Sequence, residues 1–165
     1  MKKLLFIMLM LAPMAAFAQK FGHVNSQDII QAMPEFTKAR TDIEALTKQY
    51  EADLKSMQDE LQKKADAFDK EQATLPDNIK QRRQTELQEM YQKIQQSYQD
   101  NQQALQKASS EKMQAITAKV LDAIKAVGQA GDFVIINEIN AGIPYISTTL
   151  STDVTAQVKT KLGLK

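Results

Sequence analysis

The long polar segment from Pro34 to Val127 repeats its seam-forming positions in steps of three and four residues. In its first half these positions are Ile43, Leu46, Tyr50, Leu54, Met57, Leu61, Ala65 and Phe68. In its second half they are Leu87, Tyr91, Ile94, Tyr98, Gln102, Leu105, Ser109, Met113, Ile116, Val120, Ile124 and Val127. Each triplet recurs after 11 residues, a spacing close to the natural turn of an α-helix. The pattern predicts two long helices packed along a nearly straight seam.

A short break divides this segment at Thr74-Leu75-Pro76-Asp77. Thr followed three residues later by an acidic residue is typical of a capping box, and Pro is tolerated in the first helical turn. We therefore predict a turn at 74–78 within an antiparallel helical hairpin over 35–112. Counting outward from the turn places Ile43 opposite the stretch near Ser110.

The predicted seam carries several small or polar side chains. They are Gln72, Gln102, Ser109 and Ala65. A large apolar side chain, fully buried at such a position, would contribute about 1.5–3 kcal/mol. We expect a soft hairpin that splays or bends toward its turn.

The segments that flank the hairpin predict a small body of strands and short helices. Phe21–Asn25 is predicted as a strand, and Ser26–Met33 as a short helix that ends before Pro34. We expect the body to comprise 19–34 and 113–165. The predicted fold class is α+β, with a long antiparallel helical hairpin on a small β-containing body.

The C-terminal segment predicts a β-hairpin followed by a final helix. Phe133-Val134-Ile135-Ile136 is a continuous apolar run, which is typical of a fully buried strand. Asn140-Ala141-Gly142 supplies turn residues, and Ile143–Leu150 is predicted as the returning strand. Ser151-Thr152-Asp153 would cap a last helix. Its apolar face would consist of Val154, Val158 and Leu162, and Gly163 would end it.

A body of this size buries too little apolar surface to be very stable by itself. The chain has no Cys for disulfide bonds, and its few strands leave edges that can pair. We therefore predict an obligate homo-oligomer joined through the body. The predicted oligomer core consists of Val24, Ile29, Val120, Ile124, Phe133, Val134, Ile135, Ile136, Ile143 and Ile146.

The N-terminus has the pattern of a secretory signal peptide. Lys2 and Lys3 precede the apolar run Leu4–Leu11, and Ala16-Phe17-Ala18 fits the small-x-small cleavage pattern. The alternative, a membrane anchor, is less favoured because the run is shorter than the ~20 residues that span a bilayer. We predict export and cleavage after Ala18, so 1–18 is the signal peptide.

Candidate catalytic and metal-binding residues are scarce. There is no Cys, and the single His, His23, falls in a predicted strand, where we expect it to be exposed or hydrogen-bonded. The five Gly are scattered and cannot form a phosphate-binding loop. The chain is therefore predicted to be neither an enzyme nor a cofactor- or metal-binding protein. Export and the near-neutral charge, with 21 basic and 20 acidic residues, argue against a nucleic-acid partner.

Two surface features near the turn leave alternatives open. Lys80, Arg82 and Arg83 form a basic cluster that could touch acidic headgroups or an acidic partner, or be ordinary helix surface. Leu75 and Ile79 flank the turn, where they either staple it or form an apolar tip. The span 81–107 contains ten Gln among 27 residues, with Met and Tyr between them. This stretch is either a solvated face or an adaptable binding surface.

The order of these elements resembles the OmpH/Skp family of periplasmic chaperones. The resemblance rests on the signal peptide, Phe21-Gly22-His23-Val24-Asn25 followed by Ser26-Gln27-Asp28-Ile29-Ile30, and the long hairpin. It continues in Asp132-Phe133-Val134-Ile135-Ile136-Asn137 and in Asp153-Val154-Thr155. It covers essentially all of 19–165.

The resemblance implies a periplasmic homotrimer that holds unfolded outer-membrane proteins between its hairpins without ATP. Weak contact of the turn with a membrane surface is a separate possibility, which rests on the basic cluster and not on the resemblance. The residues expected to contact the client are Tyr50, Met57, Phe68, Leu75, Ile79, Met90, Tyr91 and Tyr98. Well-studied members are strongly basic, whereas Glu60 to Met90 here carries six basic and seven acidic residues. Client capture is therefore expected to depend on weak apolar contacts and only slightly on salt.

A second hypothesis is a scaffold protein of the cell envelope, whose hairpin is a spacer or binds one folded partner. A spacer would need a rigid, well-filled seam. The polar residues predicted in the seam favour the chaperone over the scaffold.

Overall fold

The computed structural model describes residues 19–139 and 142–164. The predicted signal peptide and the turn residues Asn140 and Ala141 lie outside them. The elements are β1 (Lys20–Val24), α1 (Ser26–Ala32), α2 (Pro34–Glu71), α3 (Asp77–Ala130), β2 (Phe133–Glu138), β3 (Ser151–Asp153) and α4 (Thr155–Lys161). They form the α+β fold that the sequence predicts, with long helices and a small three-stranded sheet.

The chain divides into two compact units. The sheet unit holds the described residues up to Met33 and from Ile116 onward. The hairpin unit is Pro34–Ala115. Helix α3 contributes residues to both.

The sheet unit has the strand order β2-β1-β3, and β1 pairs in parallel with both neighbours. Gly22, at the centre of β1, lies opposite Ile136 on one side and Thr152 on the other. A Cβ at Gly22 would lie 3.0 Å from Ile136 Cγ1 and 3.1 Å from Phe133 Cδ1. Glycine therefore lets the side chains of β2 pack closely over the central strand.

The predicted β-hairpin is wrong. Residues 142–150 form turns and irregular chain instead of a strand, and Pro144 in that stretch has no N–H to donate to a ladder. The third strand is Ser151–Asp153, which pairs with β1 rather than with β2. Strands β2 and β3 both run parallel to β1, and parallel strands cannot be joined by a tight turn. Residues 142–150 therefore belong to the connection between β2 and β3.

The core of the sheet unit is made by side chains from its helices and from β1. Val24, Ile29, Val120, Val154 and Val158 are almost completely buried. The predicted apolar face of the last helix is thus confirmed at Val154 and Val158, and Leu162 is half-buried. Gly163 follows with φ 73°, the left-handed conformation that ends many helices.

Strand β2 is only partly buried, contrary to the prediction of a fully buried strand. The side chains of Val134 and Ile135 are 61% and 47% exposed. The physical reason is position: β2 is an edge of the sheet, because β1 is its only strand neighbour among the described residues. Within the run Phe133 and Ile136 are half-buried, and the exposed Val134 and Ile135 lie where the pairing with β1 shifts its register.

The hairpin unit pairs α2 with the first part of α3 in antiparallel fashion. Far from the turn Asp42 contacts Lys112, and close to the turn Glu71 contacts Arg83. The sequence separation of the paired residues thus decreases toward the turn, as it does in any antiparallel hairpin. Ile43 borders the same groove as Ser109 and Met113, as the predicted opposition to Ser110 requires. The turn spans 72–76. The Thr74 hydroxyl, predicted to cap the second helix, donates to the Glu71 carbonyl at 2.9 Å and closes the first.

The predicted 11-residue seam is confirmed in α2 and is wrong in the middle of α3. All eight predicted α2 positions from Ile43 to Phe68 are buried or half-buried. In α3 four predicted positions are exposed: Tyr91, Tyr98, Gln102 and Ser109. The inward positions there are Leu87, Met90, Ile94, Ser97, Asn101, Ala104 and Ala108. Their alternating steps of three and four form a heptad pattern, the usual spacing for two helices that coil around each other.

Two properties of α3 explain this change. Ala104 and Ala108 are small enough to let the two helices approach closely, whereas a Tyr ring in the seam would separate them. Tyr also carries a hydroxyl that needs a partner when buried. Predicted seam residue Gln72 lies beyond the end of α2 and is exposed, whereas Ala65 is half-buried as predicted.

Candidate functional site

The helical hairpin is thinly packed for its length. Within Pro34–Ala115, all of which the structure describes, only Ala39, Phe68 and Ile94 are buried. The apolar residues of the α2 stripe, such as Leu46 and Leu54, are half-buried. A pair of helices with so few fully buried side chains keeps much of its apolar surface within reach of solvent or of another molecule.

The predicted client-contact residues fall into two groups. Tyr50, Met57, Leu75, Ile79 and Met90 are half-buried along the hairpin, and Phe68 is buried. Tyr91 and Tyr98 lie outside the seam, and each side chain is 55% exposed. They are seven residues apart, so they share one face of α3. The structure does not bring the eight predicted residues together into one surface.

Two grooves lie between the helices of the hairpin unit. The larger has a volume of about 320 Å³ and is lined by Phe36, Ala39, Arg40, Ile43, Glu44, Ser109, Lys112 and Met113. We call it the Phe36–Met113 groove. The smaller, of about 160 Å³, is lined by Met57, Glu60, Lys64, Met90, Lys93 and Ile94. The sequence pattern predicted Met57 and Met90 as contact residues but not Phe36 or Arg40. Phe36 could have been found, because Phe36 and Ala39 continue the spacing of the α2 seam from Ile43 toward the N-terminus.

Three ion pairs connect α2 to α3. Lys112 Nζ is 2.7 Å from Asp42 Oδ2, Arg83 contacts Glu71 at 2.9 Å, and Lys64 pairs with Glu86. The hydrogen bond from Lys112 lowers the pKa of Asp42. In the same way the hydrogen bond from Lys64 lowers the pKa of Glu86, and that from Glu86 raises the pKa of Lys64. These pairs are solvent-exposed, so each stabilises the hairpin only slightly.

The predicted basic cluster near the turn is largely neutralised. Lys80 lies 3.7 Å from Asp77, and Arg83 pairs with Glu71 across the turn. Arg82 is exposed and has no carboxylate within ion-pair distance among the residues that the structure describes. The cluster therefore presents little net positive charge.

The predicted oligomer-core residues occupy different environments in the sheet unit. Val24, Ile29 and Val120 are buried within the chain itself. Ile124, Phe133, Ile136, Ile143 and Ile146 are half-buried. Val134 and Ile135 are exposed on the edge strand, and Leu121 on α3 is also exposed, at 58%. Tyr145 and Leu150, in the irregular segment that follows β2, are more exposed still, at 77% each, so the uncovered apolar surface of this unit is spread over several segments.

The single histidine has a structural partner. His23 Nδ1 lies 2.8 Å from the Ser151 hydroxyl, a contact between neighbouring strands. This confirms the expectation of a hydrogen-bonded strand residue. In the described part of the chain, no group of three or more His, Cys, Asp or Glu residues is placed to hold a metal ion.

No helix within residues 19–139 and 142–164 combines the length and the apolar character needed to cross a membrane.

Comparison with known proteins identifies the family. No curated protein sequence matches the chain significantly. A crystal structure from Caulobacter crescentus CB15, described as a candidate outer membrane chaperone (OmpH-like), has a similar fold, with a TM-score of 0.75 and 16% identity. The alignment covers 87% of this chain and 83% of that chain. The sequence model of the outer membrane protein (OmpH-like) family matches residues 20–162. The chain therefore belongs to the OmpH-like family of outer membrane proteins.

Proposed function

We propose that this protein is an ATP-independent holdase chaperone that binds unfolded outer-membrane proteins in the periplasm. The observation that carries the proposal is the thin packing of the hairpin, in which only three of the residues in Pro34–Ala115 are buried. Membership of the OmpH-like family and the fold of the candidate chaperone from Caulobacter support it.

The chemistry of the client explains why such a hairpin suits it. Outer-membrane barrels carry an apolar band on their outer face, and this band is exposed to water while the chain is unfolded. Half-buried side chains such as Leu46, Leu54 and Met57 can each bury a little more surface against it, at about 25 cal/mol per Å². Many weak contacts of this kind hold a client without fixing its structure, so that no nucleotide is needed for release.

The hairpin remains soluble because its apolar residues are embedded in amides and charges. The exposed Tyr91 and Tyr98 are set in the Gln-rich stretch of α3. Tyr offers a large contact area at low conformational cost and keeps a polar hydroxyl for water. This composition favours weak binding of many sequences over tight binding of one.

We propose further that the working form is a homotrimer joined through the sheet unit. Val134 and Ile135 on the edge strand leave apolar side chains and unpaired backbone groups uncovered in the single chain. A second copy of the chain packed on that edge would bury the apolar side chains and pair the backbone groups. The assembly would then present several hairpins to one client.

The direct test is suppression of aggregation. An outer-membrane protein unfolded in urea is diluted into buffer with increasing amounts of the mature chain, and light scattering is recorded at low and high salt. We expect scattering to fall at stoichiometric amounts of trimer, with little dependence on salt. Undiminished aggregation at several-fold molar excess would contradict the proposal.

A pull-down from envelope extract separates the chaperone from a scaffold. The chaperone hypothesis expects many unfolded barrel proteins on the bait. One folded protein, bound in fixed stoichiometry and resistant to urea washes that release unfolded chains, would favour the scaffold hypothesis instead.

A further inference from the structure

We propose that the three methionines of the hairpin unit form an oxidant-sensitive site, and that their conversion to methionine sulfoxides loosens the hairpin while the sheet unit stays intact. The residues are Met57, Met90 and Met113, and the reagent is a small two-electron oxidant of the peroxide class. The modification is independent of the proposed function, because it depends only on how the seam is packed.

All sulfur atoms beyond the predicted signal peptide are thioethers. The sequence has no Cys, and after Ala18 it has four methionines, which are Met33, Met57, Met90 and Met113. An oxidant that reaches the mature chain therefore meets no thiol, and the methionines are its expected targets.

The four methionines differ in their access to solvent. Met33, which directly follows α1 in the sheet unit, is only 2% exposed. Met57, Met90 and Met113, all in the hairpin unit, are half-buried. Oxygen transfer requires the oxidant to reach the sulfur atom, so the hairpin unit is expected to react before the sheet unit.

The two grooves of the hairpin unit give a small oxidant access to these side chains. Met113 lines the Phe36–Met113 groove, whereas Met57 and Met90 both line the smaller groove of about 160 Å³. A water molecule occupies about 30 Å³ of the liquid, so the smaller groove can admit hydrogen peroxide, which is little larger than water. Two of the reactive sulfur atoms therefore belong to one groove.

The reaction transfers a single oxygen atom. The thioether sulfur attacks one oxygen of hydrogen peroxide, an S–O bond forms as the O–O bond breaks, and water leaves. The sulfur loses two electrons and the peroxide gains them. The product is a sulfoxide, which is polar and chiral where the thioether was apolar and flexible.

A sulfoxide is poorly suited to the seam around the smaller groove. Its oxygen needs a hydrogen-bond donor, and burial without one is costly. The donors that line the groove are Lys64, which already pairs with Glu86, and Lys93, which is exposed. An oxygen that is satisfied by Lys93 or by water draws its side chain out of the seam and away from Ile94, one of the few buried residues of the hairpin unit.

The thin packing of the hairpin makes it sensitive to this change. Only three residues in Pro34–Ala115 are buried, so the loss of apolar contacts at two or three seam positions removes a large share of the packing between the helices. The sheet unit keeps its core, because its one methionine after Ala18, Met33, is protected by burial.

The experiment treats the mature protein with hydrogen peroxide and follows each methionine by peptide mass spectrometry. We expect Met57, Met90 and Met113 to be oxidised at least about tenfold faster than Met33, which reacts only after local opening. Amide hydrogen exchange of the oxidised protein is then measured by the same method. We expect several-fold faster exchange in the hairpin peptides and unchanged exchange in β1.

Two leucine variants separate the hairpin methionines from the buried one. The triple variant Met57→Leu/Met90→Leu/Met113→Leu keeps the apolar volume of the seam but cannot accept an oxygen atom, and both it and Met33→Leu are expected to fold. After peroxide treatment the triple variant should retain slow exchange in the hairpin, whereas Met33→Leu should loosen as the wild type does. Methionine sulfoxide reductases that act on both epimers should restore slow exchange to the oxidised wild type.

Three results would overturn the proposal. They are oxidation of Met33 as fast as that of the hairpin methionines, unchanged exchange in a fully oxidised hairpin, and loosening of the triple leucine variant by peroxide. None of them bears on the suppression of aggregation by the unoxidised protein, so the proposed function is tested separately.

Discussion

The start of α1 is stabilised by two side chains from different parts of the sequence. Asn25 Oδ1 accepts the amide of Asp28 at 3.1 Å. The carboxylate of Glu138, at the end of β2, accepts the amide of Ser26 at 3.1 and 3.2 Å. Together they satisfy amides of the first helical turn that have no partner within the helix. The negative charge of Glu138 also interacts favourably with the helix dipole.

Replacing the first of these caps tests its contribution. We expect Asn25→Ala to lower the free energy of unfolding by about 1 kcal/mol, because one amide of α1 loses its acceptor. Asn25→Ser, which keeps a capping oxygen, should lose much less. Urea unfolding at a fixed protein concentration measures both, with the exposed Gln27→Ala as a control for helix composition.

The two long helices follow different spacings along their seam. In α2 the order of large apolar residues alone determines the seam, and the sequence pattern predicts it correctly from Ile43 to Phe68. In α3 large residues such as Tyr91 and Tyr98 compete with small ones such as Ala104. A pattern that counts apolar character cannot choose between them, because the distance between the two helices decides.

The observed heptad spacing places Asn101 in the seam, whereas the 11-residue spacing would place Gln102 there, so leucine at these two positions distinguishes the two spacings. Asn101 is half-buried in the observed seam, whereas Gln102 is exposed. Asn101→Leu is therefore expected to stabilise the hairpin by about 1 kcal/mol through added apolar burial. Gln102→Leu should stabilise it much less.

Thermal unfolding followed by far-ultraviolet circular dichroism compares the two leucine variants at equal concentration. A larger gain from Gln102→Leu would mean that the 11-residue spacing continues through α3. If the softness of the hairpin aids client capture, Asn101→Leu should also weaken suppression of aggregation.

The ion pairs across the hairpin predict a dependence of stability on pH. Asp42 and Glu86 have pKa values below their ordinary values of 3.8 and 4.5, because of the hydrogen bonds from Lys112 and Lys64. Their stabilisation is fully present above the ordinary values and is lost as the pH falls through the lowered ones. The double variant Asp42→Asn/Glu86→Gln should therefore be less stable than the wild type at pH 7.

The melting temperatures of the wild type and this double variant are expected to converge as the pH falls below the ordinary pKa values of 4.5 and 3.8 and through the lowered ones. Asp53→Asn, a change on the exposed surface of α2, should track the wild type throughout. A gap between wild type and double variant that does not narrow on acidification would mean that these pairs do not respond to the charge of the carboxylates.

Most of the element order follows from the sequence, whereas the sheet does not. Periodicity and Pro34 define the long helices, and the apolar runs at Phe21 and Phe133 define two strands. The third strand, Ser151–Asp153, was predicted only as a helix cap because it is polar and three residues long. The Phe36–Met113 groove depends on which residues of α2 and α3 meet, so no local pattern identifies it.

At the scale of the whole molecule, the exposed edge of the sheet predicts how the chain associates. We expect Val134→Asp to shift the protein from an oligomer toward a monomer, because a charge would be buried without a partner in the contact between copies. Multi-angle light scattering coupled to size exclusion measures the mass directly. Gln157→Asp on the exposed surface of α4 is the matched control. A wild type that is itself a stable monomer would contradict both the trimer and this prediction.

The parallel pairing of β1 with two distant strands has a consequence for biogenesis. Gly22 pairs with Ile136 and with Thr152, so the central strand finds both of its neighbours far along the sequence, beyond the whole hairpin. The contacts of the hairpin are local around its turn and can form early, whereas the sheet needs the C-terminal segment and must close a long loop. The complete sheet can therefore form only in chains that contain Ser151–Asp153, and a copy truncated before this segment would lack one of its three strands.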